Sequence, residues 1–164
     1  MIRIIGALLL LALPALAAPA PVKLKVGDPA PLFARADLQG HAFDLKAQRG
    51  KIVLIDFWAS WCAPCMIEIP HLGGLQDRYG KNGFQVVGIS MDDSLGQTKE
   101  TMKKIAFHYP VLMGDAKFGN LYGGVLGLPL EYLVGADGKI LGIWNDVPPA
   151  TLDKAVAAAL KAAK

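Results

Sequence analysis

KIVLIDFWASWCAPC, residues 51–65, decides how this chain is read. Its first half is a near-continuous apolar run rich in β-branched residues, with Gly50 just before it, the pattern of a strand buried on both faces. Its second half holds the only two cysteines of the 164 residues, Cys62 and Cys65, with Pro64 between them and Trp61 in front. The following MIEIPHLGGLQDRYGKNG is helical in pattern down to Gly80 and interrupted by Pro70, where a kink is expected. Both thiols therefore fall where a buried strand feeds a helix.

That position suits chemistry better than stapling. A bridge from Cys62 to Cys65 closes almost no loop, and the stability a disulfide contributes grows with the loop it closes. A cysteine at a helix N-terminus faces unpaired backbone N–H groups and the positive end of the helix dipole, which favour thiolate over thiol. Cys62 would hold that place, while Cys65, one turn further in, is expected to be more buried and less nucleophilic. A two-step exchange follows, in which Cys62 forms a mixed disulfide with a partner and Cys65 resolves it by closing the internal bond. Pro64 suits the first helical turn, and Trp58 and Trp61 can shield the disulfide and offer an apolar platform.

Outward from this stretch the elements alternate. Residues 26–45 read as an irregular lead-in and two short strands around Gln39-Gly40. FQVVGISM is a second buried strand, and SLGQTKETMKKIAFHY a helix capped by Ser94 or Asp93. Residues 110–113 suit a short strand and residues 117–122 a short helix ended by Gly123-Gly124. EYLVGADGKILGIW is a hairpin around Asp137-Gly138, and PPATLDKAVAAALKAAK a closing helix with its prolines in the first turn. The order implies an α/β layer fold with a mixed central sheet flanked by helices, the cysteines lying at the carboxyl end of the sheet.

The first twenty residues, MIRIIGALLLLALPALAAPA, have a basic start at Arg3, an apolar run and a small-x-small site at Ala15-Leu16-Ala17, the layout of a secretory signal peptide cleaved near Ala17. About ten apolar residues fall short of the roughly twenty of a spanning helix, so an uncleaved N-terminal anchor is the lesser alternative. Residues 21–164 are expected to form one domain of ordinary size. The formal charge of +3 is scattered among acids and shows no basic stripe, which argues against nucleic-acid binding.

DFWASWCAPC resembles the thioredoxin active-site stretch, and the chain from about Val22 onward is similar to the secreted, membrane-associated thioredoxin-like proteins of the TlpA/ResA type. The resemblance implies a thioredoxin-like fold with an N-terminal β-hairpin and an inserted helix-strand segment before Pro129. It implies a redox-active disulfide between Cys62 and Cys65, and it matches Asp56, six positions before Cys62, to the acid that handles the proton of the inner cysteine. A carboxyl in an apolar strand agrees with that role, since burial raises its pKa. Chains of this type often have a non-acidic residue there, so Asp56 is a departure toward thioredoxin itself. Glu68 matches an acidic residue of the ResA-like group; read from the residues alone, it could equally be a solvated helix position. GLPLEYLV, residues 127–134, corresponds to the family's cis-proline loop, in which Pro129 faces the cysteines and the backbone of Leu128 pairs with an extended client. The family usually has threonine where Glu131 stands, a departure that bears on the charge of the rim and on partner choice.

The bland readings of the motif fare worse. A zinc site needs further ligands, and no second cysteine pair exists. A covalent haem site needs histidine straight after the second cysteine, where Met66 stands. A papain-like nucleophile with His71 or His108 as base would leave Cys65 idle, and a thiol peroxidase would want its cysteine in a Pro/Thr-containing loop with an arginine nearby. His41, His71 and His108 are widely spaced and suit surface or structural roles. The leading expectation is an exported, periplasmic thiol-disulfide oxidoreductase, monomeric and without cofactor or metal, that reduces client disulfides. The resemblance implies clients such as apocytochrome c or a copper-delivery protein and a membrane thiol donor. A binding module or metallochaperone partner on the same fold is the alternative from a different class.

Overall fold

The computed structural model describes residues 23–163, so the expected signal peptide or anchor lies outside the described residues. A two-stranded hairpin, β1 (Ala34–Ala36) and β2 (Ala42–Asp44), precedes a five-stranded sheet. The sheet is built from β3 (Ile52–Trp58), β4 (Phe84–Ser90), β5 (Val111–Met113), β6 (Leu130–Val134) and β7 (Ile140–Asn145), in the order β5-β4-β3-β6-β7. Strands β3, β4 and β5 run parallel, and β6 and β7 antiparallel to their neighbours. The mixed α/β architecture expected from the alternation of elements is thus the observed one. Among the described residues no helix is long and apolar enough to cross a membrane.

Strand β3 is buried at every position because it is central and both its faces are covered. Its alternate side chains divide the core. Ile52, Leu54 and Trp58 join Cys62, Cys65, Ile69 and Leu72 of the helix that follows, together with Leu152 and Val156 of the C-terminal helix. Val53, Ile55 and Phe57 join Phe33 and Phe43 around the hairpin and Phe118 and Tyr122 beyond β5. The helices are α1 (Ala63–Tyr79), α2 (Leu95–Lys104), α3 (Ala116–Leu121) and α4 (Pro149–Ala162). The inserted helix-strand segment corresponds to α2 and β5, which extend the sheet beyond β4.

Local signals place most boundaries. Ser94 caps α2 through a capping box with Gln97, whose side chain returns to the Ser94 N–H. Asp115 caps α3, and Gly123 and Gly124 end that segment with positive φ. Pro149 occupies the first turn of α4. Helix α1 runs through Pro70 to Tyr79. One boundary differs from expectation: α2 stops at Lys104, not near Tyr109. Ile105 is already extended, and Phe107 and Tyr109 turn back to pack on Trp58 and on each other. Burial of these aromatics outweighs the helical pattern that runs through them.

Candidate active site

The turn from β3 into α1 delivers the motif. Cys62 is the N-cap of α1, its backbone extended, and its Sγ accepts a hydrogen bond from the Cys65 N–H at 3.3 Å. Pro64 stands in the first turn, where a missing N–H costs nothing because that group has no helical partner. Cys62 and Cys65 form a disulfide, with Cα atoms 5.3 Å apart. Both are buried in this oxidised state, at 5% and 1% exposure.

A carboxylate that sequence reasoning missed ties the loop down. Asp92 accepts from the Ser60 N–H at 2.8 Å and the Ser60 hydroxyl at 2.7 Å, and its other oxygen accepts from Thr98 at 2.9 Å and Ser90 at 3.1 Å. The Trp58 carbonyl also accepts from the Met91 N–H at 2.7 Å. The residues just before Cys62 are therefore fixed to the end of β4 and the start of α2. ISMDDS offered only a weak signal, since Asp and Ser after a strand are ordinary turn residues.

Beneath the motif lies a group of acids. Asp56 projects from β3, Glu68 from α1 and Glu131 from β6, and one carboxyl oxygen of each lies within 4.8 Å of the others. All three are buried, Glu68 at 7% exposure and Glu131 at 0%. The solvated-helix reading of Glu68 is therefore overturned: the face of α1 carrying Cys65, Glu68, Ile69 and Leu72 is the one laid on the sheet. Glu131 likewise is not a rim charge. Its place opposite Asp56 in the β3–β6 ladder directs it inward.

Burial holds the Asp56 carboxyl well above the usual range, and the charge of Glu68 adds to this. Glu68 is raised by burial, drawn back by a hydrogen bond with Glu131 and raised again by Asp146. Glu131 is pushed up to about 10, by burial first and then by the charge of Glu68, the hydrogen bond with Glu68 and the charge of Asp56. Tyr109 belongs to the same group: its hydroxyl has no partner, and burial, Asp56 and Glu68 all raise it. Gly88, the β4 partner of Asp56, makes room; a Cβ there would lie 3.1 Å from Trp58 Nε1 and 3.2 Å from a Tyr109 ring carbon.

Three carboxylates are also what a hard cation would seek, and among the described residues this is the group that could ligate one. Mg²⁺ and Ca²⁺ take six or more oxygens, however.

The Leu128–Pro129 peptide is cis. Pro129, Pro64, Ile67, Glu68, Asp146 and Val147 border a recess of about 110 Å³ beside the motif, so the loop and the start of α1 form one surface. Leu128 is half-buried and leans on both halves of the core. The two tryptophans part company: Trp61 is 66% exposed and available as an apolar platform, whereas Trp58 is sealed in the core against Phe107. An inward position on a fully covered strand takes Trp58 out of the platform. His41, His71 and His108 each have a carboxylate within 4 Å, from Asp37, Asp153 and Asp77 respectively.

Residues 26–143 match the AhpC/TSA family. The chain is also 32% identical over 121 residues to the thiol-disulfide oxidoreductase ResA of Bacillus thuringiensis subsp. konkukian, covering 73% of this chain and 69% of that one. The chain belongs to the AhpC/TSA family and to the thiol-disulfide oxidoreductases of the ResA type. Solved structures agree on the fold. A thiol:disulfide interchange protein of the DsbE type from Chlorobium tepidum superposes with a TM-score of 0.79 at 33% identity, over 84% of this chain and 99% of that one. A second thiol:disulfide interchange protein from Chlorobium tepidum, of the thioredoxin family, gives 0.75 at 30% identity, over 85% and 99%. Membership of this oxidoreductase family gives the CxxC pair its chemistry, and the thioredoxin-like fold expected from the motif is the one these relatives share.

Proposed function

We propose that the protein is an exported reductase of client disulfides. The observation that carries this is the placing of the Cys62–Cys65 bond at the N-terminus of α1, on the same face of the sheet as buried acids able to take up and return a proton. Reduced Cys62, as thiolate at the helix N-terminus, attacks one sulfur of a client disulfide and the client's other sulfur leaves as thiolate. Cys65 then gives its proton to Asp56 and attacks Cys62 Sγ. The client thiol is released and the internal disulfide closes, both electrons having passed to the client. Two thiols of a donor dithiol restore the pair, and Asp56 returns the proton to Cys65. Glu68 shares this proton work through its charge beside Asp56.

Trp61, Pro64, Leu128 and Pro129 form the surface on which an extended client lies, the backbone of Leu128 offering strand-like pairing. Ala63-Pro64 adds no donor beside the thiolate beyond the helix itself, which favours a moderately reducing couple. The N-terminal segment supports export to the periplasm, with cleavage near Ala17 or retention as an anchor, and residues 21–164 as one monomeric domain. Apocytochrome c or a copper-delivery protein as client, and a membrane thiol donor, follow from the resemblance to the TlpA/ResA type.

Trapping with Cys65→Ser tests the reading. The variant should accumulate mixed disulfides through Cys62 with periplasmic thiol proteins, and the wild-type couple should be more reducing than that of its clients. A variant that traps nothing, or a pair that turns over only with peroxide, would sink it.

A further inference from the structure

Glu131 is the acid the exchange reaction does not yet use. It is fully buried, and neither of its carboxyl oxygens accepts a well-formed hydrogen bond from an N–H or hydroxyl group among the described residues, so its one polar neighbour in hydrogen-bonding contact is the Glu68 carboxyl. As a carboxylate it would be a buried charge without a compensating donor, a state that burial strongly disfavours. As a carboxylic acid it carries one O–H, and Glu68 and Asp56 present acceptor oxygens within 4.8 Å. Glu68 and Asp56 each also have an oxygen without a partner. None of the ion pairs among the described residues reaches the three acids, so no cation balances them.

We propose that Glu131 is a neutral, proton-donating positioning residue: its O–H holds the negative charge of the buried acids on Glu68, and so keeps the proton on Asp56 ready for Cys65. The inference rests on Asp56 exchanging the Cys65 proton, and it goes beyond that role by naming what sets the charge. All the titratable groups around Glu131 bear on it. Asp56 faces it from β3, Glu68 from α1, Asp146 acts on Glu68 from beyond β7, and the Tyr109 hydroxyl feels the charges of Asp56 and Glu68. Trp144, its partner on β7, is uncharged.

Three buried carboxyls cannot all ionise at such separations. The charge settles on the one best solvated and best hydrogen-bonded. Glu68 is the most exposed of the three and meets the Glu131 proton, whereas Asp56 lies deeper. Ionised Glu68 in turn raises the affinity of Asp56 for its proton. In the oxidised protein the sequence is then Glu131–H, Glu68⁻ and Asp56–H. When a donor thiolate attacks Cys62 Sγ, the sulfur–sulfur bond breaks, Cys65 leaves as thiolate and takes the Asp56 proton. Asp56 is left ionised beside Glu68, the state that later accepts the Cys65 proton when a client is reduced.

The test is the reduction of the Cys62–Cys65 bond by dithiothreitol across pH, compared among wild type, Glu131→Leu and Glu131→Gln, with thermal melts as control for folding. Glu131→Leu removes the donor, Glu68 takes up a proton, and Asp56 loses the neighbouring charge that strengthened its hold. The limb on which protonated Asp56 is lost should move down by about one pH unit, a tenfold loss of rate at fixed pH on that limb. Glu131→Gln keeps a neutral donor and should recover at least half of the shift. An unmoved limb in Glu131→Leu, or no recovery in Glu131→Gln, overturns the proposal. Infrared spectra of the oxidised protein in an Asp56→Asn background give a readout independent of the Asp56 role. A protonated-carboxyl band should persist at neutral pH and vanish in Glu131→Gln; a band that survives that change places the proton elsewhere and overturns the proposal. Tight binding of Mn²⁺ to the wild type, abolished by Glu131→Gln, would also overturn it, because the three groups would then be carboxylate ligands. An Asp56→Asn variant with a wild-type pH profile would sink the role of Asp56 alone, and the infrared result would still decide Glu131.

Discussion

Asp56 and Glu131 stand directly opposite each other across the antiparallel β3–β6 ladder. Opposed residues in such a pair send their side chains to the same face of the sheet, and here it is the face that carries Cys62 and Cys65. Two acids and a disulfide thereby share one buried compartment, closed from the side by Glu68 of α1.

Asp56→Asn keeps the volume of the side chain and removes its proton exchange. Reduction of a model disulfide should slow by about a hundredfold, within the usual contribution of a positioned acid or base, and the pH–rate profile should lose the step that Asp56 supplies. Stopped-flow turnover across pH checks this, and an unchanged profile would refute the assignment.

The raised acids also set how stability varies with pH. A carboxyl whose folded pKa is raised binds its proton more tightly in the folded chain, so stability falls as pH climbs from the unfolded value toward the folded one. For Glu131 the window runs from 4.5 to about 10, and for Asp56 it opens at 3.8. One such acid loses about 1.4 kcal/mol per pH unit inside its window. Glu131→Gln should therefore melt higher than the wild type at neutral pH, with a gap that widens as pH rises from about 5 to 8. Calorimetry at several pH values would show a constant gap if Glu131 were ionised throughout.

In the reduced protein Cys62 should react with iodoacetamide on the order of tenfold faster than Cys65, because the N-cap position lowers the pKa of the first thiol and Cys65 lies one turn inside α1. Peptide mass spectrometry over a time course gives both rates. Equal rates would remove the distinction between attacking and resolving cysteine.

Asp92→Ala should cost about 3 kcal/mol, since hydrogen bonds to a charged acceptor are worth roughly 1.5–3 kcal/mol each and their donors are left unpaired. Its effect should extend to the motif: with Ser60 released, alkylation of Cys62 should lose its sharp pH dependence. Urea unfolding measures the first and the alkylation profile the second; a loss of stability with Cys62 chemistry intact would limit Asp92 to a structural part.

Gly88→Val should destabilise by about 1–3 kcal/mol through overpacking, because a side chain there meets the Trp58 and Tyr109 rings. Since those rings wall the acids, the Asp56 step of the pH–rate profile should shift as well. A variant that unfolds at the wild-type urea concentration would show that the rings can give way.

Residue patterns alone were enough to read the strand–turn–helix that presents Cys62 and Cys65, the order of the elements, both hairpins, the cap at Ser94 and the first-turn proline at Pro149. These depend on residue spacing and turn chemistry within a few positions. The sequence also singled out Asp56, Glu68 and Pro129 through resemblance to a family, but not what surrounds them. Long-range packing buries Glu68, turns Trp58 into the core while Trp61 stays in solvent, ties Ser60 to Asp92, and ends α2 early so that Phe107 and Tyr109 can pack. Glu131 shows the reason most directly. Whether its side chain is a surface charge or a buried acid depends on the register between β6 and β3, strands separated by more than seventy positions in the chain, and a slip of one residue would have sent it to the opposite face. That register is set by the packing of both sheet faces at once, so it is written nowhere in the residues adjacent to Glu131.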